Sequence, residues 1–163
     1  MLTQKQLKSL EKYIELHLNA PVLYEANYYS AKESFELIDM EKFLDEKRKP
    51  TLQELLFRLI DERGEKDADV YKRAGIDRRH FSKIRSKTDY KPSKNTVISL
   101  SLALELTTEQ AEELLSAAGF SLSDSDTFDL VIQYCLENSI YLIHDVNQAL
   151  TYFSLKPLGG VMA

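Results

Sequence analysis

Residues 67–86 read DADVYKRAGIDRRHFSKIRS, and this stretch decides the interpretation of the fold. Its apolar residues follow helical spacing on both sides of a glycine: Val70, Ala74, Ile76, Phe81 and Ile84. Glycine between two helical patterns is typical of a tight turn, because a residue without Cβ adopts positive φ at no steric cost. The sequence therefore predicts a short helix over 67–73, a break at Gly75, and a second helix over 77–86 with Asp77 as its N-cap.

The outer face of the second predicted helix is polar and basic, and three further lysines follow it. Arginine and lysine bind phosphate oxygens and guanine edges, and serine binds phosphate. This composition predicts a helix that reads the major groove of double-stranded DNA, with the later lysines on the adjacent backbone. The candidate DNA-binding residues are Arg78, Arg79, His80, Ser82, Lys83, Arg85, Lys87, Lys91 and Lys94.

The distribution of charge along the chain supports this surface. The 163 residues carry a formal net charge of −5, but residues 63–94 hold 11 Lys/Arg against 5 Asp/Glu. Residues 95–163 hold 1 against 9, and residues 1–62 hold 9 against 12. A charge run is ordinarily a solvated face; here it coincides with the outer face of the predicted helix pair, which favours a binding role.

Apolar residues recur at three- and four-residue spacing along nearly all of the chain, which predicts an all-α fold. Residues 1–49 form a predicted N-terminal helical extension and linker, with Thr3 capping a helix that ends at Asn19 and a second helix over 34–47. Between them, a predicted loop carries three tyrosines suited to an interface or to covering the core: Tyr24, Tyr28 and Tyr29.

Residues 50–122 form the predicted central domain of five helices. Thr51 and Glu54 have the spacing of a capping box, and Gly64 is placed to end the first helix. The fourth helix is capped by Ser93 or Asn95 and the fifth by Thr107 or Thr108. Residues 123–163 supply two more helices that extend the core, followed by a frayed tail.

The central segment resembles the lambda-repressor-like (XRE/Cro-type) helix-turn-helix family. The resemblance covers about residues 51–122 and rests on the AGI turn at 74–76, FSKIRS at 81–86, KPS at 91–93 and ALEL at 103–106. It implies a compact five-helix domain whose third helix, 77–86, is the recognition helix. It also implies a bacterial or phage regulator of transcription that often binds a palindromic operator as a homodimer.

Other classes of function find little support in the sequence. The single Cys135 falls in an apolar helical pattern and is expected to be a core residue in a reducing compartment. The three histidines are far apart and lack metal-ligand spacing, so we expect no metal, no cofactor and no enzymatic activity. No apolar run approaches the length of a membrane span and no signal peptide is present, so we expect a cytoplasmic protein with no membrane partner.

A second interpretation stays open at this stage. The acidic C-terminal region, the acidic N-terminal helices and Asp67 favour a protein-interaction module, an adaptor or inhibitor, that keeps the helix-turn-helix fold and docks a partner protein. The N-terminal region and residues 125–153 are the candidate surfaces for a homodimer.

Overall fold

A computed structural model describes residues 1–19 and 36–159 of the chain, and of residues 15–19 it describes the backbone alone. The described residues form helices and their connections, without a strand, which confirms the all-α class. No helix among them is long and apolar enough to cross a bilayer. The chain divides into two compact units, Met1–Arg48 and Lys49–Ala163.

The first unit contains α1, Gln4–Asn19, and α2, which is helical over residues 36–47. Thr3 caps α1 as expected: its hydroxyl accepts the Gln6 N–H, and the Gln6 side chain accepts the Thr3 N–H. Every side chain described in this unit is exposed, including the apolar stripe of α1. The predicted tyrosine-bearing loop lies outside the described residues.

The second unit contains seven helices among the described residues, all joined by short connections. In chain order they are α3 Leu52–Glu62, α4 Asp67–Arg73, α5 Arg78–Ser86, α6 Lys94–Ala103, α7 Thr108–Ala117, α8 Thr127–Glu137 and α9 Ile143–Tyr152. The side chains of Thr51, Ser93 and Thr107 cap α3, α6 and α7, so the two open cap assignments resolve to Ser93 and Thr107.

Helix α6 lies at the centre of this unit and packs against α4, α7 and α9. All residues from Val97 to Leu104 are buried, including Ser99 and Ser101. Helical spacing in the sequence predicts an inward face of only four of these residues, Val97, Leu100, Ala103 and Leu104. A helix that is buried on all sides shows no alternation of an apolar and a polar face, so periodicity underestimates how many of its residues are buried.

The connection from α4 to α5 follows the sequence prediction. Gly75 has φ +70°, and its N–H donates to the Lys72 carbonyl at 3.1 Å. The Ile76 N–H donates to the Tyr71 carbonyl at 2.9 Å, which completes a Schellman ending of α4. Asp77 then caps α5 by accepting the His80 N–H at 2.7 Å. Four of the five predicted core residues here are buried, while Ile76 is half-buried.

The predicted fraying of the C-terminal tail is wrong for residues 155–159. Leu158 is 2% exposed, and Asn147 of α9 binds its backbone on both sides. The Asn147 side-chain amide donates to the Leu158 carbonyl at 3.1 Å, and its oxygen accepts the Leu158 N–H at 2.7 Å. The two hydrogen bonds satisfy the backbone N–H and C=O of Leu158, which lies outside any helix, and its side chain adds to the core.

We expect Asn147→Ala to lower the free energy of unfolding by about 1–3 kcal/mol, because two backbone groups lose their partner. Urea denaturation of the full chain measures the change, with Gln148→Ala, at the exposed neighbouring position, as the matched control. Equal stability of the two variants would contradict this role for Asn147.

Candidate nucleic-acid interface

Helix α5 has one buried and one exposed face. Phe81 and Ile84 are buried, and the Phe81 ring packs against Phe57 and Tyr71 with centroid separations of 6.2 and 5.5 Å. At about 100° per residue, Arg79, Ser82 and Ser86 lie on the opposite side of the helix. These three residues form what we call the outer ridge of α5, and all three are exposed. Ser86 is not among the nine candidates predicted from the sequence.

The C-terminal end of α5 is fixed by a residue that sequence reasoning missed. The side-chain amide of Gln53 on α3 donates to the carbonyl oxygens of Ile84 and Lys87, the latter at 2.6 Å. The Ile84 carbonyl lies in the last turn of α5 and has no partner within the helix, so the glutamine satisfies it. The Lys87 carbonyl also accepts the Tyr90 N–H at 3.1 Å. Through both bonds the glutamine holds the end of α5 against α3. Gln53 is one of several polar residues of the amphipathic helix α3, so nothing in the sequence singles it out.

Arg85 is exposed but engaged. Its guanidinium forms an ion pair with Asp67, at the first position of α4, and lies 4.9 Å from the centroid of the Phe57 ring. The charge of Asp67 is therefore offset within the domain. Arg85 consequently links α3, α4 and α5, and it reaches a DNA base only by giving up these contacts.

His80 and Lys83 both contact Tyr90, which lies in the connection between α5 and α6. The His80 Nε2 and Tyr90 Oη atoms are 2.9 Å apart, and the Lys83 Nζ lies 4.5 Å from the centre of the tyrosine ring. A cation over an aromatic face at this range is attractive. These contacts hold the connection against α5, so Tyr90 is a positioning residue that the sequence analysis did not identify.

Lys94 is the first residue of α6. Its Nζ lies 2.7 Å from the Asp129 Oδ2 on α8, and Asp129 is 2% exposed. The same oxygen accepts the Ser123 N–H at 2.8 Å, whereas Oδ1 has no partner among the described residues. A buried carboxylate needs a counter-charge, so Lys94 has a structural task.

The remaining candidates keep their side chains free of hydrogen bonds and ion pairs with other described residues. They are Arg78, Arg79, Ser82, Lys87 and Lys91, and all are exposed. Of the nine candidates, these five can meet an external ligand without breaking an internal contact.

The described residues offer no candidate metal centre. They contain no group of three or more His, Cys, Asp or Glu side chains placed to hold a metal. Cys135 is buried in the core, as the sequence predicts, and burial raises the pKa of its thiol. The neutral form is therefore favoured, which disfavours a nucleophilic role.

Comparison with known proteins adds no relative: no family model, curated protein or solved structure matches the chain.

We expect Lys94→Gln to lower the free energy of unfolding by about 1.5–3 kcal/mol, because it leaves the buried Asp129 carboxylate without its cation. Lys91→Gln removes the same charge from an exposed loop position and should change stability little. Urea denaturation of both variants provides the comparison. A larger loss in Lys91→Gln would contradict the structural assignment of Lys94.

We expect Cys135 to react slowly with a disulfide reagent in the native protein at pH 8, because the raised pKa leaves little thiolate and burial blocks access. The reaction should become fast once denaturant unfolds the chain. Rapid labelling without denaturant would show that this part of the core opens readily.

Proposed function

We propose that the chain is a DNA-binding regulator of transcription in which α5 enters the major groove as the recognition helix. One observation carries the proposal: α5 presents an exposed face whose two N-terminal arginines, Arg78 and Arg79, have no partner among the described residues. Its opposite face is fixed in the core by Phe81 and Ile84. A rigid helix with free arginines at its N-terminal end suits base readout.

The free and the engaged cations take different roles in this proposal. Arg79 and Ser82, on the outer ridge, and the neighbouring Arg78 contact base edges or phosphate. Lys87 and Lys91 contact the phosphate backbone beside the groove. His80, Lys83 and Arg85 hold α5 and its following connection in place, and Lys94 acts only through α6.

Two consecutive segments of the chain, residues 63–94 and 95–163, carry opposite net charges, and this also supports DNA binding. Residues 63–94 are strongly basic, whereas residues 95–163 carry a large excess of acidic groups. An acidic region repels the DNA backbone while a basic one attracts it, so the field orients the protein as it approaches DNA.

We expect binding to duplex DNA to weaken steeply as salt rises from about 50 to 200 mM, because phosphate contacts release counterions. The double variant Arg78→Ala/Arg79→Ala should lose about 1–3 kcal/mol of base discrimination per arginine that reads a guanine. Fluorescence anisotropy with random-sequence and selected duplexes measures both effects.

The matched control is Lys8→Ala/Lys12→Ala, which removes the same charge from α1. If this variant weakens binding as much as the arginine variant, the contact is non-specific attraction rather than recognition by α5. No binding of the parent protein at low salt would contradict the proposal itself.

A protein-interaction module is the second candidate, and exposed apolar side chains favour it. On α8, Leu130 and Tyr134 are one turn apart and are 44% and 62% exposed. Exposed aromatic and aliphatic side chains are typical of surfaces that bind another protein. The double variant Leu130→Ser/Tyr134→Ser distinguishes the candidates, since it removes this surface and leaves α5 intact. It should weaken the binding of a partner protein and leave DNA binding unchanged.

A further inference from the structure

A groove of about 710 Å³ lies beside the N-terminal ends of α5 and α6. It is lined on one side by the α4–α5 turn, with Lys72, Gly75 and Asp77, and on the other by α6, with Asn95 and Ser99. No residue of the outer ridge of α5 lines it. The groove is therefore distinct from the surface proposed to read DNA.

Ser99 is the observation that points to a ligand. It is 3% exposed, it lines the groove, and its hydroxyl makes no hydrogen bond to another described residue. Ser101, two residues later on the same helix, shows the usual solution: its Oγ donates to the Val97 carbonyl at 2.9 Å. The Ser99 hydroxyl makes no such bond within its helix, so it is available to hydrogen-bond a molecule in the groove.

The electrostatics of the groove favour a negatively charged partner. The first N–H groups of α6 have no acceptor within the helix, and the Ser93 cap satisfies only that of Thr96. Asn95 therefore offers a free backbone N–H at the positive end of the helix dipole. Lys72, which is exposed, contributes a full positive charge from the facing wall.

Asp77 and His80 are the other titratable groups that line the groove. One oxygen of Asp77 accepts the His80 N–H at 2.7 Å, so the carboxylate compensates the positive end of α5. The His80 ring faces Tyr90, with its Nε2 2.9 Å from the tyrosine hydroxyl. The negative charge of Asp77 disfavours an anion in the groove. Removal of that charge should therefore strengthen the binding of an anion.

We propose that this groove binds the phosphate group of a small phosphate ester, with the Ser99 hydroxyl, the Asn95 backbone N–H and the Lys72 ammonium as donors. Helix N-termini suit phosphate, and the volume of the groove exceeds the needs of a single inorganic ion. The groove leaves room for the organic part of such an ester, and adenosine monophosphate serves as its probe. Backbone phosphate of DNA has the same chemistry and is the competing source.

The test is a titration of the full chain with inorganic phosphate and with adenosine monophosphate, at constant ionic strength, followed by amide NMR shifts. We expect saturable shifts at Asn95, Thr96 and Ser99. Ser99→Ala, a change that fits a buried site, should weaken binding about fivefold or more. Lys72→Gln should weaken it similarly, and Asp77→Asn, which retains a capping side chain, should strengthen it.

Lys66→Gln, which removes an equal charge from an exposed position outside the groove, should leave the affinity unchanged. Absence of saturation at about 10 mM of either probe would overturn the proposal, as would an equal loss in Lys66→Gln. If only a DNA duplex shifts these amides, the groove holds backbone phosphate and the free-ligand proposal is wrong. The DNA-binding proposal is tested separately. If Ser99→Ala still binds DNA in a salt-dependent way, that proposal stands even where the groove binds no phosphate ester.

Discussion

Burial of α6 on every side is the constraint on which the second unit depends. Since all residues from Val97 to Leu104 are buried, each neighbouring helix must turn an apolar face toward α6. Helices α4, α7 and α9 do so, and α5 and α8 pack onto α4, α7 and α9 in turn. The amide and hydroxyl groups at the N-terminal end of α6 are thereby left beside the α4–α5 turn. The position of the groove is thus a consequence of how the core is filled.

Local features of the fold could be predicted from the sequence, because their causes are local. The hydroxyls of Thr3 and Thr51 and the carboxylate of Asp77 each cap a helix by accepting an N–H three residues later. The positive φ of Gly75 likewise ends α4 through bonds to nearby carbonyls. Contacts between distant residues could not be predicted. Periodicity shows which face of a helix points inward, but it does not show that Arg85 meets Asp67 or that Lys94 meets Asp129.

The candidate site shows the same difference between local features and contacts of distant residues. Charge and position in the sequence place nine residues in one group, whereas the structure separates them by which other residues their side chains contact. Neither Tyr90 nor Gln53 belongs to a charge pattern, so the sequence did not indicate their roles. Gln53 fixes the C-terminal end of α5, and Tyr90 holds the following connection against the helix. These contacts give the backbone of α5 a defined geometry, which lowers the entropy that this surface would lose on binding a ligand.

The ion pair between Lys94 and Asp129 also constrains how this sequence can change over time. The Asp129 carboxylate is 2% exposed, whereas the side chain of Lys94 keeps 31% of its surface accessible. Loss of the aspartate first leaves a cation that can turn to water, but loss of the lysine first strands an anion in the core. The two positions therefore form an ordered pair, in which a lineage abandoning the interaction would pass through replacement of the acid before replacement of the base.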